Sequence, residues 1–390
     1  MHRARLLTPA LAIVASLALA GSASAALKRV SSKNAFPIVA GGTLIWQAAG
    51  QGTTDSTGAF VWTVPADGSS PASVLFQGPP VPNEGVVGTD PSKTTPGQQP
   101  VGVAATPSFV FFQRQVGVFK TQQAGKNSPN FYTDFFPTAT SNYAGALAGP
   151  LNPATLSADP GDPCPGGTVT EIPLGASGST LVTIASCSAV TGTDPGRLLA
   201  RTFSGGGFAS PPVFLAGNGH SVGAVRIAGK YLAGIQSVQN SIQKSIVVID
   251  ITTGDVVNSI PKSPSGSFYS NLDVGTDGSV VVTLQRGSST KLSVLRFPAG
   301  STHGTTLPSS MGNIVSAPRI SGSRLVFLRK VSNGTQVITT NLSGGSVKGY
   351  GTLSSVVDPV NGFDAGNTWV AVNGTVSGKS GVYTTRISGS

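Results

Sequence analysis

The sequence predicts an all-β protein, a β-propeller of about seven four-stranded blades. Three observations carry that expectation. Charged residues are only 10% of the 390 positions, and just two of the fifteen acids, Glu84 and Glu171, are glutamate. Surface helices are built largely from Glu, Lys, Arg and Gln, so this chain is poor in helix material. Helical periodicity is absent after Ala26, and in its place a short apolar run recurs behind a tight turn.

The first element is an address. Met1 to Arg5 carries two arginines, Leu6 to Ala20 is apolar, and Ala23-Ser24-Ala25 is an A-x-A cleavage site. Residues 1–25 therefore read as a signal peptide and 26–390 as a single propeller domain. The apolar run is shorter than the ~20 residues that span a bilayer. Leu19-Ala20-Gly21-Ser22 has serine where a lipidated cysteine would stand. The expected product is secreted or extracellular, periplasmic where the cell has an outer membrane, and carries no transmembrane segment.

The apolar runs follow in order. They begin at Leu44, Phe109, Leu181, Tyr231, Val280, Leu325 and Trp369, so the last four spacings are 50, 49, 45 and 44 residues. Each later run is preceded by one phrase: Val225-Arg226-Ile227-Ala228-Gly229, Pro318-Arg319-Ile320-Ser321-Gly322, Gly362-Phe363-Asp364-Ala365-Gly366, with Leu272-Asp273-Val274 before Thr276-Asp277-Gly278 as a variant. Alternation ending in a small residue and Gly is a strand entering a hairpin, where Gly supplies positive φ. The apolar run is the next strand, hydrophobic enough to be buried on both faces. A second pair follows in each unit, as in Ser245–Asp250, Thr252-Thr253-Gly254 and Val256–Ile260. Four antiparallel strands per 44 to 50 residues is the blade of a propeller. The N-terminal third is less regular: Gly78 to Pro100 holds six prolines, and Ser157 to Gly167 reads as a long loop. Two β-sandwich domains divided near Pro160 are the alternative architecture.

Pro318 to Lys348 (PRISGSRLVFLRKVSNGTQVITTNLSGGSVK) resembles the TolB-type, WD40-like blade, with Ser321-Gly322 in place of that family's Asp-Gly turn, which Asp277-Gly278 keeps. Lys244 to Pro261 is similar to a blade of the YVTN surface-layer propellers. The resemblance covers part of the second half and implies a fold; it carries no functional residue across.

Charge is lopsided. Residues 26–163 hold seven basic and seven acidic residues, and residues 164–390 sixteen and eight. The excess suggests an anionic counterpart, against the plainer account of solubility. Its densest cluster is Arg319, Arg324, Arg329 and Lys330, a candidate basic patch for carboxylate or phosphate groups. Cys164 and Cys187 are expected to form a disulfide in an oxidising compartment, and two cysteines without nearby histidines make no metal site.

Other motifs are weaker. Gly219-His220-Ser221-Val222-Gly223 matches G-x-S-x-G, but that motif needs a helix after the serine, where the repeat phrase of this chain stands, and only His303 lies downstream as a base. Gly374 to Ser380 imitates a P-loop one residue short and reads as a hairpin. Asp159 with Asp162, or Asp273 with Asp277, could be the two carboxylates of a glycosidase, though Asp beside Gly or Pro is ordinary turn composition. No calcium-loop array is present. The expectation is therefore a non-enzymatic binding or scaffolding module outside a bacterial cell: no catalytic residue, cofactor or metal, no nucleic acid, a monomer. Its partner would be a protein or glycan, with an anionic envelope component as one candidate. The alternative is a secreted hydrolase or lyase with its site on the propeller face.

Overall fold

The computed structural model describes residues 26–49, 59–77, 94–123, 131–147, 151–153, 169–187, 197–204, 207–209, 211–215, 222–237, 242–289 and 291–387. The proposed signal peptide, Cys164, Asp159, Asp162, His220 and Ser221 lie outside them. The strands form seven antiparallel sheets, one per repeat unit, arranged as a seven-bladed propeller. Among the described residues the only helical piece is a three-residue 3-10 turn, Ser309–Met311. The two-sandwich alternative is set aside by this ring.

Each repeat phrase is the innermost strand of its blade and each apolar run the second. In blade 4 the strand Val222–Ala228 pairs with Tyr231–Ser237, which pairs with Lys244–Asp250 and then Val256–Ile260. Blade 5 repeats this with Ser267–Val274, Val280–Arg286, Leu292–Phe297 and Thr305–Thr306. In blades 6 and 7 the inner strand is split, as Asn313–Ile314 with Arg319–Ser321 and as Ser355–Val356 with Phe363–Ala365. The turns are those the sequence dictates. Gly229 and Gly322 sit at φ 58°, and Asp277 caps the blade 5 turn by accepting from the Ser279 N–H (2.9 Å) and hydroxyl (2.7 Å). The P-loop imitation is the hairpin Val376–Lys379, with Gly378 at φ 77°.

Burial on both faces of the second strands has a direct consequence. In blade 5, Val280 and Val282 join a cluster with Ile246 and Val248 of blade 4, while Val281 between them joins Leu325 and Phe327 of blade 6. Alternate residues of one strand thus feed two interfaces. Among the described residues seven such clusters occur, one for each pair of adjacent blades. The pair that closes the ring packs Ala371 and Val382 of blade 7 on Leu44 and Trp46 of blade 1. Closure is also staggered along the chain: the strand Lys28–Ser31 is the outermost strand of blade 7, hydrogen-bonded antiparallel to Lys379–Arg386. The first and last described segments share one sheet, so the ring cannot open without breaking that ladder.

The candidate site at the propeller axis

The inner strands surround a cavity of about 540 Å³. Register identifies one matching position per blade, the second or third strand pair in from the hairpin turn. In blades 4 to 7 it is Arg226 (opposite Ala233), Asp273 (Val281), Arg319 (Val326) and Asp364 (Ala371). In blades 1 to 3 it is Ile38 (opposite Ile45), Ala104 (Phe111) and Gly175 (Val182). All seven line the cavity. One half of the ring alternates Arg and Asp; the other half is apolar and small.

The two carboxylates reach forward in the same way. Asp273 Oδ2 accepts the Ile320 N–H of blade 6 at 2.7 Å, and Asp364 Oδ2 accepts the Val39 N–H of blade 1 at 2.8 Å. Each donor residue follows its own blade's ring position, so both aspartates latch onto the next blade.

The two arginines differ. Arg319 donates through Nε to Asp364 Oδ1 at 2.9 Å, through Nη1 to the Pro318 carbonyl, and through Nη2 to the Phe363 and Val360 carbonyls. Its guanidinium also lies over the Phe363 ring. Among the described residues the Arg226 guanidinium has no hydrogen-bonded or ion-paired partner, although Asp273 occupies, relative to it, the place Asp364 holds relative to Arg319. The like charge of Arg319, followed by burial, draws the Arg226 pKa below the ordinary arginine value, against the pull of Asp364 and Asp273. Burial raises the Asp273 carboxyl above the usual carboxylate range, against Arg319 and Arg226. Such a group, held near an unmatched cation in a cavity, is equipped to exchange a proton.

Of the four residues expected to form a basic patch, Arg319 is in the axial ring and only 3% exposed. Arg324 begins the second strand of blade 6, across from Asn341. Arg329 and Lys330 are at its far end, roughly 17 Å away at strand rise. There Arg329 is half-buried and donates to Gln336 Oε1, while Lys330 is exposed on the opposite face. The structure does not bring the four together. Asp273 and Asp277 also separate, one to the axis and one to a turn. The expected Cys164–Cys187 bridge falls outside the described residues at Cys164. His303 is exposed in a loop, its ring nitrogen 3.3 Å from the Thr302 hydroxyl. Arg226, Asp273 and Asp364 all fall in or beside the repeat phrases, but aligning those on their glycines puts Asp364 one place after Arg226 and Arg319, and only strand register brings them to one level.

No protein-family model matches the chain, and no curated protein matches it in sequence. Solved structures match in fold. An oligogalacturonate lyase in complex with manganese is 12% identical, with 94% of each chain covered and a TM-score of 0.53. A puromycin hydrolase is 12% identical, with 90% of this chain and 52% of that one covered and a TM-score of 0.49, so this chain spans about half its length. A protein from Agrobacterium tumefaciens described as a TolB is 15% identical over 72% of this chain and 98% of that one, with a TM-score of 0.35. At such identity the likeness is one of fold. The expected non-enzymatic binding or scaffolding module is corrected here, because the fold is shared with a lyase, whereas nothing found supports a binding role without chemistry. The error came from counting histidines and glutamates along the chain; the ionisable groups of the axis are Asp and Arg.

Manganese in the lyase poses the question of a metal here. Among the described residues no three His, Cys, Asp or Glu side chains gather. The axial carboxylates are separated by Arg319, so this donor set does not fit a divalent ion, and no step is routed through one.

Proposed function

We propose that this protein is an exported acid–base enzyme, a lyase or hydrolase, with its site in the axial cavity and a carboxylate-bearing substrate. The observation that carries the reading is the alternating Arg–Asp half-ring, in which Asp273 has a raised carboxyl beside the unmatched guanidinium of Arg226. In this reading Arg226 holds the substrate carboxylate. Asp273 takes the proton from the carbon next to it. The electron pair left behind forms a double bond as the β C–O bond breaks, and the departing oxygen takes up a proton from water, to which Asp273 returns the one it took. The guanidinium offsets the charge that builds on the carboxylate as the C–H bond breaks. Arg319 and Asp364 are positioning residues that fix the blade 6–7–1 side of the ring. Export rests on the signal-peptide pattern of residues 1–25, and assignment to the TolB-type propellers on the Pro318–Lys348 phrase. Among the described residues no helix is long and apolar enough to cross a membrane.

The test uses the chain from Ala26. Oligogalacturonate, the substrate class named for the lyase of like fold, is offered first, then other uronate oligosaccharides and carboxylate esters. Product is followed as a new conjugated double bond or a new reducing end. Asp273→Asn should lower turnover by about 10²–10⁴-fold, with the strand circular dichroism unchanged. Full activity in Asp273→Asn, or no turnover of any of these substrates by the parent protein, sinks the proposal.

A further inference from the structure

The axial ring contains two successive Arg–Asp units, Arg226 with Asp273 in blades 4–5 and Arg319 with Asp364 in blades 6–7. Both aspartates make the same forward bond to the next inner strand. Only the second unit closes its ion pair, at 2.9 Å. In the first, Arg226 faces a cavity and is left without the carboxylate contact that its counterpart makes. Asp364 is committed to Arg319. A carboxylate held in the cavity would complete the Arg226 guanidinium's fork.

The opposite wall has another chemistry. Ile38, Ala104 and Gly175 hold the ring positions of blades 1 to 3, and Leu174 and Phe36 line the same cavity. Phe36 is 50% exposed, a large apolar ring left uncovered at the wall. Ala104 keeps this wall shallow, and at Gly175 the missing side chain makes room for Ile227, whose tip would be 2.9 Å from an added Cβ.

We infer that the site takes a monocarboxylate with an apolar flank, its carboxylate on Arg226 and its flank against Ile38, Ala104, Leu174 and Phe36. This rests on the axial cavity being the substrate site and names the class of substrate that it selects. Two differently built walls on one cavity orient such a molecule in a single sense, which places the carbon beside its carboxylate on the Asp273 side.

Calorimetric titration tests the inference without turnover. The probes are phenylacetate, its neutral isostere phenylacetamide, and glucuronate, which keeps the charge without the flank. Phenylacetate should bind more tightly than either. Arg226→Gln should weaken phenylacetate by about 10- to 100-fold, the weight of a charge-assisted hydrogen bond, and abolish the preference for acid over amide. Ile38→Ser should weaken phenylacetate and leave glucuronate unchanged. Arg226→Lys should retain part of the acid preference, and Arg329→Gln all of it. Acid and amide binding equally to the parent protein, a preference that survives Arg226→Gln, or glucuronate as the tightest probe would each overturn the inference. Acid-selective binding in a protein with no turnover would overturn the enzymatic reading alone; turnover without acid-selective binding would overturn this one.

Discussion

Blades 1 to 3 and blades 4 to 7 share strand order, interface clusters and ring register, yet place their buried charge differently. In blades 4 to 7 four charged side chains line the axis, Arg226, Asp273, Arg319 and Asp364, with Asp250 buried away from it in blade 4. In blade 3 the buried charge lies within the sheet. There Glu171 accepts from Arg201 Nε (2.9 Å), Arg201 Nη2 and the Thr183 hydroxyl (2.7 Å), and its backbone carbonyl accepts from Gln113 of blade 2. Arg201 is 1% exposed and Glu171 6%. An ion pair sealed inside a sheet can only hold structure, whereas one that faces a cavity can meet a ligand. The comparison teaches that buried charge acquires a functional reading from what it faces.

The sharpest way to break that contrast is to remove one charge from each region. Arg201→Ala leaves the Glu171 carboxylate buried without its partner and should cost about 3–5 kcal/mol of stability, read from urea unfolding. Asp273→Asn should leave the urea midpoint nearly unchanged, because an amide oxygen can still accept the Ile320 N–H, while turnover falls as stated above. A large stability loss in Asp273→Asn would place the axial charges in the same structural class as Glu171.

A smaller effect tests whether the regular turns of blades 4 to 7 depend on glycine. Gly322 sits at φ 58° with nothing within 4 Å of an added methyl, so Gly322→Ala meets only backbone strain. It should cost about 1–2 kcal/mol, and Gly322→Asn less, by thermal denaturation. Equal stability in all three would mean the turn relaxes.

The smallest effect concerns pH. Hydrogen bonds from Lys230, then Thr252, hold the Asp250 carboxyl at about 2, below its ordinary 3.8. A depressed carboxylate contributes stability that is present above about pH 3.8 and lost as pH falls toward 2. Lys230→Met should therefore narrow the drop in melting temperature between neutral pH and about pH 2 by lowering the neutral-pH value, and only slightly because Lys230 is exposed. An unchanged acid drop would assign the depression to Thr252.

Much of the ring was determined by the sequence alone. Runs such as Val280-Val281-Val282 must be buried on both faces, and a sheet with two buried faces needs a neighbour on each side; seven such sheets close on themselves. Glycines before Tyr231 and after Asp277 place the hairpins locally, since positive φ is a property of the residue and not of its surroundings. Arg226, Asp273, Arg319 and Asp364 all fall in or beside the repeat phrases, but at different distances from the turn glycine, so the sequence does not line them up. Tertiary structure alone decided which of these charges are spent on one another. The Arg319–Asp364 contact joins residues 45 positions apart, and the Val39 N–H reaches Asp364 across 325. The basic cluster at Arg319, Arg324, Arg329 and Lys330 was dispersed for the same reason: strand geometry separates sequence neighbours by face and by length, and ring closure brings distant positions to one axis. That Arg226 remains unmatched is a fact of packing, which no spacing along the chain encodes.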